Sequence, residues 1–199
     1  MILGTDFDNT VVDYEHVFPL VARDLGVEVP TGMEKKSLRD FVRTLSGGEV
    51  LWQKIQAAVY GDQMCEARLI NGFSALVRSC QEKGIPLYIV SHKTRYAVQK
   101  PTEDLRAYAL EWMENRGFFS KDRLGLSPDD VFFEDTREKK VDRIRSLGCT
   151  HFVDDMQEVL LDENFPPYAE GIWFTRSEDV GIKLKRAASW GEIDRLLFD

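Results

Sequence analysis

Residues Ile2-Leu3-Gly4 form a short apolar run that ends on the polar segment TDFDNT. Runs of this kind, closed by turn-forming residues, read as buried strands. The pattern returns at Ile85-Pro86-Leu87-Tyr88-Ile89-Val90, at Val131-Phe132-Phe133, at His151-Phe152-Val153 and at Gly171-Ile172-Trp173-Phe174. None of these alternates apolar with polar, which is the mark of strands covered on both faces. The segments between them carry helical spacing. Residues 14–25 do so with Pro19 as a limit or kink. Residues 35–45 follow, then 48–60 with Leu51, Trp52, Ile55, Ala58 and Val59 on one face. Later helices are expected at 72–83, stopped by Gly84; at 102–116, opened by a Thr cap; at 137–147; and around Trp190 to Leu197, entered through Ser189. Strands alternating with helices predict an α/β fold built on a doubly wound parallel sheet.

One interval breaks the alternation. About eighty residues separate the first two strands, far more than an ordinary crossover needs. They hold three helices and no convincing strand. The expected organisation is therefore a core domain from residues 1–14 and 71–199, with an all-helical cap inserted at 15–70.

Composition narrows the class. The chain has 199 residues, 43% of them hydrophobic, enough for one domain with a substantial core or a core plus a small satellite. A formal net charge of −8 argues against nonspecific binding to nucleic acid or to an anionic membrane. The N-terminus has no basic region followed by an apolar run, and no stretch approaches the length of a membrane span. Cys65, Cys80 and Cys149 are odd in number and form no CxxC pair, which fits packing residues in a reducing, cytoplasmic setting.

The chemistry gathers where the strands end. Asp6 and Asp8 leave the first strand on one side, with Phe7 pointing the other way. Two such carboxylates repel unless a cation or proton separates them, and the pair suits a hard, oxygen-seeking ion such as Mg2+. Ser91 ends the second strand, Asp154 and Asp155 end the fourth, and Lys140 lies near the start of the preceding helix. Parallel strands end on the same side, so all four groups are expected at one edge. Lys140 shares a helical face with Ile144 and Leu147 at i+4 and i+7, whereas Lys139 is turned toward water, so Lys140 is the inward lysine. These residue types are what a transferring phosphoryl group requires. They provide a carboxylate to attack phosphorus, oxygens for a metal, a hydroxyl donor, an ammonium, and a second carboxyl to carry a proton.

The order DFDNT, then Ser91 in LYIVSHKT, then Lys140 in EKKVDRI, then HFVDD resembles the haloacid dehalogenase (HAD) superfamily. That resemblance covers the core and implies an Asp6 nucleophile that is also a metal ligand. It implies Asp8 as general acid and base, with its backbone carbonyl on the metal, and Asp155 completing an Mg2+ site beside Asp154. Asn9, Thr10, Ser91, His92 and Lys140 would contact phosphate or substrate. Dehalogenases resemble this frame but lack the acidic residue that Asp8 supplies, so phosphoryl chemistry is favoured. The function expected is an Mg2+-dependent phosphatase acting on a small phosphorylated metabolite. A phosphomutase with the same nucleophile, or a non-catalytic HAD-fold binding protein, is the alternative. The insertion would close over the core and read the substrate, with Trp52, Tyr60, Arg39, Arg43 and Lys54 as its notable side chains. His16 and His151 read as structural, Lys93 and Arg95 as loop residues that follow Ser91 and either meet a substrate or are ordinary surface residues, and the basic run Lys183 to Arg186 as an exposed face.

Overall fold

A computed structural model of the chain describes residues 1–176 and 183–199. In chain order the elements are β1 (Leu3–Thr5), β2 (Val12–Asp13), α1 (Val17–Asp24), α2 (Lys35–Thr44), α3 (Gly48–Val59), β3 (Arg68–Leu69), α4 (Phe73–Glu82) and β4 (Leu87–His92). There follow β5 (Tyr96–Ala97), β6 (Lys100–Asp104), α5 (Leu105–Asn115), β7 (Val131–Glu134), α6 (Arg137–Ser146), β8 (His151–Asp154), α7 (Gln157–Leu160), β9 (Glu170–Phe174), β10 (Lys185–Ala187) and α8 (Trp190–Phe198). They divide into two compact units. One comprises Met1–Val12, Leu69–Lys93 and Gly117–Asp199, and the other Asp13–Arg68 and Thr94–Arg116.

The first unit is built on a six-stranded sheet in the order β10-β9-β8-β1-β4-β7, all of whose neighbours run parallel. Pleating sends alternate side chains to opposite faces. On one face Val90, Phe152 and Trp173 pack with Val141 and Ile144 of α6 and with Val159 and Leu160 of α7. On the other, Trp190 of α8 meets Phe73 of α4 at 5.1 Å and Phe174 of β9 at 5.3 Å between ring centres. Each large side chain so buried is worth about 1.5–3 kcal/mol relative to exposure. The polar edge of Trp190 is satisfied as well, since its Nε1 donates to the Thr10 carbonyl at 2.9 Å. Ser189 enters this helix as expected, its side chain accepting from the Glu192 N–H.

The second unit differs from the expected cap. Helix α5 begins at Leu105, capped by Asp104, whose carboxylate accepts from the N–H groups of Arg106 and Ala107 at 3.0 and 3.2 Å. Thr102 is not the cap and lies instead in β6, paired antiparallel with β5. The expected core therefore loses residues 94–116 to the helical unit, and that unit is not wholly helical. The reason lies in polar contacts invisible to periodicity. Trp112 Nε1 and Arg116 both donate to the Ala67 carbonyl, at 3.1 and 2.8 Å, tying α5 to the chain just before β3. Pro19 does not kink α1, because it falls in the first turn, where a missing N–H leaves no intrahelical bond unmade. Trp52 is buried and stacks on Phe18 at 5.3 Å, Lys35 donates to the Tyr60 hydroxyl at 3.1 Å, and Arg39 and Arg43 pair with Asp40 and Glu49.

One smaller difference is a strand that backbone pairing defines. The basic residues Lys185 and Arg186 are exposed as expected, yet with Ala187 they form the edge strand β10; only Ala187 is buried, so no apolar pattern announces it. Burial pushes the thiols of Cys80 and Cys149 up to about 11, while Cys65 is exposed and all three are free. No helix among the described residues is long and apolar enough to cross a membrane.

Gly4, at the middle of β1, is tightly packed. A Cβ there would stand 2.5 Å from Cδ2 of Phe152, its partner on β8, and 2.9 Å from the Cys149 sulfur. Only a bare Cα lets the Phe152 ring lie across the strand. Gly4→Ala should therefore cost about 1–3 kcal/mol in urea unfolding through overpacking. Gly191, in the first turn of α8, has nothing near its would-be Cβ, so Gly191→Ala should be neutral or stabilising by up to about 1 kcal/mol. Equal effects at the two glycines would dismiss the packing account.

Candidate active site

The register of three strands sets the site. Thr5 pairs with Ile89 on β4 and Val153 on β8, and the Asp6 N–H extends the ladder by donating to the Val153 carbonyl at 2.8 Å. Asp6 and Asp154 thus leave adjacent strands at the same level. Phe7 turns to the opposite side, fully buried, with its ring edge-on to Phe133 at 6.1 Å. Its carbonyl then accepts from the N–H groups of Val11 and Val12 at 2.9 and 3.1 Å, folding the chain into a tight turn. Asn9 takes the left-handed conformation that this turn needs, at φ 60°, a region asparagine tolerates better than most side chains.

Helix α6 is started by Thr136, whose hydroxyl accepts from the Lys139 N–H at 3.2 Å. One residue later, Lys140 points inward and is 2% exposed. Its ammonium donates to Asp6 Oδ1 and to Asp154 Oδ2, each at 2.6 Å, and stands 5.6 Å from the centre of the Phe152 ring. Lys139 instead pairs with Asp135 at the surface. Burial by itself would lower the Lys140 pKa, but the charges of Asp154 and Asp6 reverse this and hold it above the ordinary lysine range. Asp154 is fully buried. Burial raises its carboxyl, Lys140 pulls it back, and the Asp6 charge adds to the rise, so it sits at about 7. Its other oxygen accepts from the Met156 N–H at 2.9 Å.

Asp155, next in the chain, faces the same cluster and is fixed through its backbone, whose carbonyl accepts from Trp173 Nε1 at 2.9 Å. One carboxylate oxygen each from Asp6, Asp154 and Asp155 lie within 4.8 Å of one another. Three carboxylates there meet one ammonium, an imbalance that a divalent cation would correct. An all-oxygen, anionic donor set fits a hard ion such as Mg2+.

Ser91, on β4, is buried, and its Oγ has no hydrogen-bond partner in the structure; the same holds for Thr10 Oγ1. An unpaired buried hydroxyl costs about 1–3 kcal/mol, which an incoming acceptor would recover. His92 is exposed, with Nε2 3.0 Å from the Asp135 carbonyl oxygen. Asp8 is only partly buried and meets a partner that sequence reasoning passed over. Lys93, 4% exposed, places its ammonium 3.1 and 3.0 Å from the two Asp8 oxygens. The signal was available: Lys93 stands two residues past Ser91, so alternation carries it to the same side.

No protein-family model matches this sequence, and no curated protein matches it either. Solved structures do. A HAD hydrolase, YfnB, from Bacillus subtilis bound to magnesium superposes with a TM-score of 0.62 at 14% identity, covering 98% of this chain and 97% of that one. A HAD-family hydrolase from Deinococcus radiodurans with bound phosphate and sodium gives 0.59 at 13% identity, over 98% and 94%. A HAD phosphatase from Thermococcus onnurineus gives 0.52 at 14%, over 99% and 97%. The fold is that of the HAD superfamily. Within the HAD fold, the carboxylates and Lys140 of this chain stand at the carboxyl ends of the central strands, where open α/β sheets place ligands.

Removing Lys140 should expose how much of the fold rests on it. In Lys140→Met, Asp6 and Asp154 would remain buried without a counter-charge, a loss of about 3–5 kcal/mol by urea unfolding in EDTA near neutral pH. Lys139→Met, which removes only a surface pair, should stay within about 0.5 kcal/mol of the parent. Comparable stability in both variants would show that Lys140 carries no such burden.

Proposed function

We propose that this chain is an Mg2+-dependent phosphatase that hydrolyses a small phosphorylated metabolite through a phosphoaspartate on Asp6. The observation that carries this reading is the bridge from Lys140 to Asp6 and Asp154 at 2.6 Å, with Asp155 in the same carboxylate cluster. A carboxylate so placed is held in one orientation. Lys140 engages one Asp6 oxygen, so the other can be presented to phosphorus.

In the first half-reaction an Asp6 oxygen attacks phosphorus, and the bond from phosphorus to the leaving alcohol breaks. Asp8, two residues on, gives that alcohol its proton. In the second half, Asp8 takes a proton from a water whose oxygen attacks phosphorus, and the Asp6–phosphorus bond breaks to release inorganic phosphate. The Ser91 hydroxyl, unpaired in the structure, donates to a phosphate oxygen, and Lys140 offsets charge developing near Asp6. Asp6, Asp155 and the Asp8 backbone carbonyl would hold Mg2+, which when bound neutralises phosphate charge that would otherwise repel Asp6. Asp154 supports this set from behind, each of its oxygens already engaged by a protein donor.

The test is turnover of an aryl phosphate by the purified protein with and without Mg2+. Asp6→Asn should abolish turnover while leaving the melting temperature close to the parent, because an amide keeps the shape but is a poor nucleophile. Full activity in Asp6→Asn would sink the mechanism. Metal binding is read separately by isothermal titration. Asp155→Ala should weaken Mg2+ affinity by at least about tenfold, or ~1.4 kcal/mol. Equal affinity in both proteins would remove Asp155 from the metal site.

A further inference from the structure

The pairing of Lys93 with Asp8 is partly buried, and the chemistry above uses only its acidic partner. Both partners are fixed by backbone. Lys93 lies one residue beyond β4, yet its N–H donates to the Glu134 carbonyl at 2.9 Å, carrying the β4–β7 pairing past the last residue of β4. Asp8 bridges to Val12, and the next residue, Asn9, donates its N–H to the Val12 carbonyl at 2.8 Å. The Lys93 ammonium also stands over the Phe7 ring, 5.8 Å from its centre. The ammonium is equidistant from the two Asp8 oxygens to within 0.1 Å, so it engages both alike.

That geometry constrains the carboxyl torsion. A cation hydrogen-bonded to both oxygens at equal distance resists rotation of the carboxyl group about its bond to Cβ, which would lengthen one contact. A lone surface ion pair would fix nothing, because long exposed side chains exchange partners freely. Here the ammonium is nearly sealed, while Asp8 is 19% exposed on its side chain, so the lysine holds the carboxyl from the protein side.

We propose that Lys93 is a positioning residue for Asp8: by clamping both oxygens it sets the orientation in which that carboxyl meets the leaving-group oxygen. This rests on the reading of Asp8 as the proton donor. The expected signature is therefore selective. An alkyl leaving group needs a well-placed proton donor, whereas nitrophenolate departs without one, and general acid help is typically ~10²–10⁴-fold.

The experiment compares an alkyl phosphate with p-nitrophenyl phosphate in wild type, Asp8→Asn, Lys93→Met, Lys93→Gln and the Asp8→Asn/Lys93→Met double variant. Lys93→Met should cut alkyl-phosphate kcat by about ten- to a hundredfold and nitrophenyl-phosphate kcat several-fold less, with KM for each substrate nearly constant. Lys93→Gln, which keeps an uncharged N–H donor group, should fall between, and it stands in if Lys93→Met does not fold. The double variant should be no more selective than Asp8→Asn alone, since the two act as one unit. A uniform loss on both substrates in the Lys93 variants, or additive selectivity in the double variant, would overturn the positioning role while the function reading stands. An unchanged alkyl-to-aryl ratio in Asp8→Asn would overturn the Asp8 assignment and this inference with it. Failure of wild type to turn over either phosphate would do the same to the function itself.

Discussion

One ammonium holds the chemistry of this chain together. Lys140 comes from a helix, Asp6 from the N-terminal strand 134 residues earlier, and Asp154 from a strand 14 residues later, yet the three meet within 2.6 Å contacts. Burying charge is expensive, and a buried pair returns that cost only when geometry is close and remaining oxygens find donors. Asp154 meets that condition through the Met156 N–H, and the strand ladder holds the backbone of Asp6 in line. The ammonium cannot be replaced by solvent, because the site is sealed around it. An imbalance nevertheless persists, since the Asp155 carboxylate lies in the same cluster and brings a third negative charge. Burial raises the Asp154 pKa and the Asp6 charge adds to the rise, while the excess of carboxylate oxygens suits a divalent cation.

Strand register makes this convergence possible, and Gly4 makes the register tolerable. With the paired residue Phe152 lying over the bare Cα of Gly4, β1 and β8 can run side by side without displacing the ring. The same ring stands 5.6 Å beneath the Lys140 ammonium. A glycine in a central strand is normally a weakness, having no side chain to pack. Here it connects the packing of the sheet to the placement of the charge.

Much of this was legible in the residues. The apolar runs gave the strands, because fully covered parallel strands need no alternation, and the i+4, i+7 relation of Lys140 to Ile144 and Leu147 gave its inward direction. The four strand-end groups could be assigned to one edge, because parallel strands leave no other choice. What stayed hidden was of a different physical kind. Helix α5 has ordinary apolar spacing, and its attachment to the second unit depends on hydrogen bonds to the Ala67 carbonyl, which no periodicity records. Strand β10 buries only Ala187, so backbone pairing with β9 defines it and hydrophobicity does not. Lys93 was hidden by convention, since a lysine beyond a strand is usually solvated, although its spacing from Ser91 pointed inward.

The two lysines also explain how carboxylates only two residues apart can differ. Asp6 and Asp8 leave the strand on one side and would share an electrostatic environment if left to themselves. Instead Asp6 is matched by an ammonium from α6 and Asp8 by one from the end of β4. Asp6 shares its ammonium with a second carboxylate and is 7% exposed on its side chain. Asp8 has an ammonium within reach of both of its oxygens and is 19% exposed on its side chain. On the proposed function, giving each carboxylate its own lysine, from a different element, would separate nucleophile from acid without moving either off the strand end.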